Sequence, residues 1–206
     1  MRATLPSLFA AIDALRRVDT SGFSGFGGWS DEGRGEHATW GDWLLAVREW
    51  REVRGLPPWR SRMAASSTGT APFDRSFEVF ASLVDRCPGE RNLVHNDLLH
   101  FNVLVSDARV TAVLDWGSSI LGDFVYDIAK FAFFAPWYPR WSAIDFAAEA
   151  ASFFHSIGTR IPFFELRMRC YQLHIGLEHQ AWYASRGEWD NLEWAARRTL
   201  AIAEPA

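Results

Sequence analysis

Apolar residues Leu5, Leu8, Phe9, Ile12 and Leu15 fall on one helical face and predict an amphipathic helix over about 5–18. A Gly-, Ser- and charge-rich stretch at 20–38 then breaks the periodicity and reads as a long loop. Thr39 with Asp42 three residues on resembles a capping box. It opens a second helix with Trp43, Leu44 and Val47 on its apolar face and Trp50 at the margin. Gly55 and Pro57-Pro58 end that helix, and the small residues of 61–72 read as a connection. Phe73, Phe77, Phe80, Val84 and Cys87 mark another helix, stopped by Pro88-Gly89. A short strand is expected at Asn92-Leu93-Val94. Two apolar, β-branched runs follow at 102–105 and 109–114, separated by Ser106-Asp107-Ala108, which predicts a hairpin. Helical patterns resume at about 124–135, 141–157, 163–185 and 189–203, punctuated by Pro136, Pro139 and Pro162. The fold class expected is therefore α+β and mainly helical, with a small β element between two helical regions and no internal repeat.

Composition sharpens this picture only in places. The 206 residues suffice for one large domain or two small ones, and with 49% hydrophobic residues, 11 Trp and 16 Phe the chain reads as globular. A formal net charge of −4 argues against a nucleic-acid surface and suits a cationic small substrate. Cys87 and Cys170 have no metal-binding spacing and read as reduced, buried thiols. The N-terminal residues lack a signal-peptide pattern and no run reaches membrane-span length, so the expectation is a soluble, cytoplasmic domain with no nucleic-acid or membrane partner.

The chemistry is concentrated between residues 95 and 129. Phosphoryl transfer from ATP needs a carboxylate to accept the proton of the attacking hydroxyl and oxygen ligands for Mg²⁺. In kinase-type sites the base and an Asn ligand share one loop as Asp-x-x-x-x-Asn, and a second metal-binding Asp follows a short hairpin. Asp97 and Asn102 have that spacing, and the hairpin after Asn102 would bring Asp115 back beside it. The bland reading of each carboxylate is a turn or cap residue.

The segment His95-Asn96-Asp97-Leu98-Leu99-His100-Phe101-Asn102, the turn Leu114-Asp115-Trp116 and the helix start Gly122-Asp123-Phe124-Val125-Tyr126-Asp127-Ile128-Ala129 together resemble the aminoglycoside phosphotransferase family. Phe133-Phe134-Ala135-Pro136-Trp137 looks closest to its hygromycin-type branch. The resemblance extends over nearly the whole chain and implies the C-terminal lobe of a protein-kinase-like fold. It also implies Asp97 as general base, Asn102 and Asp115 as Mg²⁺ ligands, and His95, Asp123 and Asp127 as buttresses of the loop. Asn96 departs from the usual Gly, although Asn tolerates a left-handed backbone well. Leu99-His100-Phe101 departs from the common His-Pro-Gly.

Of the 21 Lys and Arg residues only Lys130 is a lysine. The phosphate-clamping lysine of a kinase lies on a strand upstream of the catalytic loop, so Lys130 is not that residue. With no Gly-rich strand-turn-strand expected upstream either, the nucleotide-clamping lobe is expected to be absent from residues 1–206, which then form a single catalytic and substrate lobe. That lobe would have to be supplied in cis or by another chain.

Gly22-Phe23-Ser24-Gly25-Phe26-Gly27-Gly28 resembles a phosphate loop only superficially, and reads as a flexible surface loop or a lid near the substrate. His174 and His179 lie five apart, unlike metal-binding helical pairs, and read as ordinary helix residues; His37 and His155 carry no context. Candidate substrate contacts are His100, Trp137, Glu178, Glu188 and Asp190, the carboxylates suiting a cationic sugar; a turn role for His100 and a solvated helix terminus for the acidic pair are the plainer alternatives. Two functions of different class follow. The first is the catalytic lobe of an ATP- and Mg²⁺-dependent O-phosphotransferase acting on an aminoglycoside-like or other amino-sugar hydroxyl, inactive without its nucleotide lobe. The second is a non-catalytic small-molecule-binding or scaffold module. A Mg²⁺-dependent phosphohydrolase reusing the same carboxylates is a weaker third.

Overall fold

The computed structural model describes residues 2–49, 58–99 and 101–205. At its centre lies α7 (Phe164–Arg186), which packs against α3 (Trp59–Ala65), α4 (Ala71–Val84), α5 (Val125–Phe134) and α8 (Trp189–Ala203). Because neighbours surround it, α7 lacks a broad polar face: Met168, Leu173, Ile175, Leu177 and Ala181 are all buried. It packs tightly on α8 at Gly176, where an added Cβ would lie 2.1 Å from Thr199 Oγ1. Around this centre, α1 (Leu5–Arg16) buries Leu5, Leu8, Phe9 and Ile12, and α6 (Phe146–Ser156) packs on α1 and α5. The fold is mainly helical with small antiparallel sheets, as the sequence pattern predicts.

One sheet has the order β2-β1-β6-β3, from β1 (Phe26–Trp29), β2 (Gly35–His37), β3 (Asn92–Val94) and β6 (Ile120–Gly122). This corrects the reading of 20–38 as a loop and the expectation that no Gly-rich strand-turn-strand precedes the catalytic loop. Glycine carries little strand propensity, so the hairpin was invisible to periodicity. It forms because β1 pairs with β6 through Gly27 and Leu121, a contact made 94 positions away in sequence. Gly27 has φ +86 and lies so close to Trp43 that a Cβ would come within 2.2 Å of its ring. The hairpin packs on β6 and α2 (Trp40–Leu45) and carries no lysine.

The second sheet is the expected hairpin of β4 (Val103–Ser106) and β5 (Arg109–Val113). Ser106 faces Arg109 across a two-residue turn in which Asp107 (φ 50) and Ala108 (φ 60) are both left-handed, the conformation that matches strand twist. Other expectations shift at their edges. Thr39 Oγ1 accepts from Asp42 N at 3.1 Å as the capping box requires, but the α-helix it opens is short and passes into a 3₁₀ turn at Ala46–Glu49. Trp50, Gly55 and Pro57 lie outside the described residues. The connection expected at 61–72 is largely taken up by α3 and the start of α4. Among the described residues no helix is long and apolar enough to cross a membrane.

Candidate active site

The turn between β3 and the β4–β5 hairpin carries Asp97, and its shape follows from two anchors. Asp127, in the first turn of α5, accepts from the backbone amides of His95 at 2.9 Å and Asn96 at 2.8 Å. Burial pushes the Asp127 carboxyl above its ordinary pKa, opposed by these two N–H groups and by the nearby His95 and Lys130. The second anchor is His95, whose ring is fully buried. Its Nδ1 accepts from the Asp97 amide at 3.2 Å, so its Nε2–H donates to the Leu114 carbonyl at 2.9 Å. One imidazole thus ties the backbone of Asp97 to the residue before Asp115.

Asp97 itself is half-buried. Asn102 Nδ2 donates to its Oδ2 at 2.9 Å and to its backbone carbonyl at 2.8 Å. With the amide nitrogen committed there, Asn102 Oδ1 remains as an oxygen of the kind that hard cations take. The Leu114 amide donates to the Asn102 carbonyl at 2.8 Å, which places Asp115 next to Asn102 across the mouth of the hairpin. Asp115 is exposed and left-handed (φ 59, ψ 71). Among the described residues no group of three or more His, Cys, Asp or Glu gathers as a metal cluster. A cation here would use the Asn102 amide oxygen with Asp115, completed by water or phosphate oxygens, which is the usual manner of Mg²⁺.

Asp123 is placed differently. It is fully buried and receives Arg167 Nε at 2.7 Å, a second Arg167 nitrogen, the Tyr171 hydroxyl at 2.5 Å and the Val125 amide at 3.0 Å. Trp40 Nε1 in turn donates to the Tyr171 hydroxyl at 3.1 Å. Asp123 therefore ties β6 and α5 to α7 and α2. It supports the site from beneath without reaching it.

One cavity opens at Asp97 and a second adjoins it through Asn96 and Glu178. The one of about 340 Å³ is lined by Asp97, Asn96, Lys130, Glu178, His179 and Trp182. The other, about 530 Å³, shares Asn96 and Glu178 and adds Glu36, Glu49, Trp43 and His174. Glu178, half-buried, stands between them; burial raises its pKa, Lys130 opposes the rise and Asp97 adds to it. Burial pushes His174 and His179 down to about 3, aided by the positive charge of Lys130, so both rings are neutral there.

Of the expected substrate contacts, only Glu178 lies at these cavities. Trp137 sets its ring edge-on against Trp194 at 4.6 Å on the flank of the core. Glu188 is held by Arg186 at 2.6 Å and Asn191 at 2.9 Å, and with Asp190 lines a separate depression at the start of α8. His100 lies outside the described residues. Sequence reasoning missed Glu36, Glu49, Trp43 and Trp182, which reach the cavities from elements remote in sequence. The one available signal was the position of Glu36 and His37 at the end of the Gly-, Ser- and charge-rich stretch read as a loop.

Residues 2–162 match the model of the phosphotransferase enzyme family. Hygromycin-B 4-O-kinase of Escherichia coli is 31% identical over 204 residues, covering 97% of this chain and 55% of that protein. The chain thus spans about half the length of this curated relative. A thermostable mutant of aminoglycoside phosphotransferase APH(4)-Ia, crystallised in ternary complex with AMP-PNP and hygromycin B, superposes with a TM-score of 0.79 at 29% identity, covering 98% of this chain and 64% of that one. Macrolide 2'-phosphotransferase MphH from Brachybacterium faecium, at 21% identity and a TM-score of 0.59, covers 100% of this chain and 62% of its own and shares the fold.

Proposed function

The chain belongs to the phosphotransferase enzyme family, and on that premise we propose that it is the catalytic and acceptor-binding lobe of an ATP-dependent kinase of a polycationic, hydroxyl-rich small molecule of the aminoglycoside type. The observation that carries the reading is the cavity opening on Asp97 together with the larger one that adjoins it through Asn96 and Glu178. A carboxylate held at one oxygen by Asn102 lines a cavity with Glu178 and Trp182, and Glu36, Glu49 and Trp43 line the adjoining one. Carboxylates recognise ammonium groups, and indole faces cover sugar rings or cations. A hydroxyl presented there lies at the one carboxylate that is held in place yet open to a ligand, and Asp97 takes its proton as it attacks the terminal phosphoryl group.

Mg²⁺, when bound, would neutralise phosphate charge, held by Asn102 and Asp115. The reading also holds that the groups clamping the triphosphate come from polypeptide beyond these residues. The sole lysine is engaged by Asn96, and the match covers only 55% of hygromycin-B 4-O-kinase. The same engagement favours, for this chain by itself, a binding module that takes the acceptor without turning it over.

The test is transfer of radiolabelled terminal phosphate from ATP to hygromycin B by the polypeptide carrying this chain, with acceptor binding to residues 1–206 measured separately by calorimetry. Transfer that requires Asp97, together with Mg²⁺-independent acceptor binding by the isolated chain, is the expected result. Undiminished transfer after Asp97→Asn, or failure of every aminocyclitol to bind, would overturn the reading.

A further inference from the structure

Lys130 is the single lysine of the chain and is only 6% exposed. It sits on α5 one turn beyond Asp127, so both side chains leave the same helical face. That face meets Asn96. Lys130 Nζ donates to the Asn96 backbone carbonyl and, at 3.2 Å, to its Oδ1. Asp127 accepts the Asn96 amide at 2.8 Å, and the Ser118 carbonyl accepts Asn96 Nδ2 at 3.1 Å. Every polar group of Asn96 is therefore held from outside its own turn.

The hold has a purpose that packing alone does not supply. Asn96 has φ 62, a conformation that asparagine tolerates but that favours glycine. The residue after it is Asp97, so the dihedrals of Asn96 set the direction in which the base leaves the turn. Burying an ammonium is costly unless it is paired and hydrogen-bonded. A Met or Leu would fill the volume without that cost. Asp127 and Glu178 supply opposing charge, and the Asn96 oxygens supply acceptors. The buried ammonium directs both of these hydrogen bonds at Asn96.

We infer that Lys130 is a positioning residue of the phosphoryl-transfer site: its ammonium clamps Asn96 in the left-handed conformation that aims Asp97 into the acceptor cavity. The inference rests on the reading of Asp97 as the base. It explains why the residue before the base can be other than glycine in this chain, and it gives the sole lysine a function distinct from binding ATP.

The clamp should become redundant where glycine enters the left-handed region without help. Lys130→Met is therefore placed in the parent and in an Asn96→Gly background, and kcat and KM for ATP-dependent phosphorylation are measured alongside amide hydrogen exchange at residues 96 and 97. In the parent, Lys130→Met is expected to lower kcat by about tenfold or more with KM changed less than about threefold, because misplacement of a catalytic group acts on the transition state. Exchange at the Asp97 amide should quicken by a similar factor. In the Asn96→Gly background both effects should shrink to less than about threefold.

Equal losses in the two backgrounds, unchanged kcat per folded molecule, or unfolding that Asn96→Gly does not repair would each overturn the clamp. If no form of the protein transfers phosphate, the proposed function fails while exchange at Asp97 still decides whether Lys130 fixes the turn.

Discussion

Asp97 and Asp115 on one side, and Asp123 and Asp127 on the other, are the same side chain put to opposite uses within 31 positions. The first pair is half-buried or exposed, each in or beside a left-handed turn, and Asp97 receives a single side-chain donor. The second pair is buried to 1% exposure or less, and both oxygens of each carboxylate accept hydrogen bonds. A carboxylate whose oxygens are all engaged inside the protein fixes geometry. One that keeps an unengaged oxygen at a cavity can still accept a proton or a cation. The difference teaches that the chain satisfies the carboxylates at the start of α5 completely and leaves those on the neighbouring turns partly unengaged.

The comparison breaks most visibly at Asp97. Asp97→Asn preserves size and the contact with Asn102, and the expected loss is about 10²–10⁴-fold in kcat with the melting temperature nearly unchanged. Parallel assays of turnover and thermal unfolding check it. A drop in stability with turnover per folded molecule intact would move Asp97 into the class of Asp123.

Asp123→Ala should do the reverse. It leaves the Arg167 guanidinium buried with, among the described residues, the Glu90 carboxylate at 3.4 Å and the Pro162 carbonyl at 3.3 Å as its remaining oxygen partners. Removing one partner of a buried pair costs about 3–5 kcal/mol, which urea unfolding would register as a lower midpoint at unchanged slope. Replacing Asp115 by Asn, which also tolerates the left-handed backbone, should by contrast change stability by less than about 0.5 kcal/mol.

The buried foundation has a pH signature. His174, hydrogen-bonded to the Tyr126 hydroxyl at 2.8 Å, has its pKa depressed from 6.5 to about 3 by burial, with smaller contributions from Lys130 and His179. The unfolded chain therefore binds a proton that the folded chain refuses between those limits. Stability attributable to His174 is complete above pH 6.5 and falls as the pH drops toward 3, at up to about 1.4 kcal/mol per pH unit. Chemical denaturation from pH 7 to pH 4 should show a shallower slope for His174→Gln than for the parent. Equal slopes would mean that His174 is charged in the folded state.

The smallest effect is expected at the surface. Arg75 forks onto Glu204 at 2.5 Å and 2.7 Å, with both side chains about half exposed. Arg75→Ala should cost about 0.2–1 kcal/mol at low salt, and the difference should fade in 1 M salt. A larger, salt-insensitive loss would show that the carboxy-terminal end of α8 is held by more than this pair.

Much of this layout was legible because its determinants are local. Helical periodicity marked α1, α4, α5, α7 and α8 to within a turn of their observed ends, and the Asp97–Asn102 spacing, the hairpin and the Asp115 turn follow from residues within 19 positions of one another. The edges that moved, such as α6 starting at Phe146 after an Asp145 cap rather than near 141, turned on capping chemistry that periodicity alone overlooks.

What the sequence by itself determined is which residue types stand at which spacing, since backbone hydrogen bonding and side-chain periodicity act over a few residues. The tertiary structure alone decided which of them are neighbours. The partnership of Asp123 with Arg167 spans 44 residues, that of β1 with β6 spans 94, and Glu36 reaches Glu178 only across a cavity. Such contacts depend on how the helices and sheets close around α7, and no short-range preference encodes that closure. The same physics turned Lys130 from a lysine out of place for ATP into the support of the turn before Asp97.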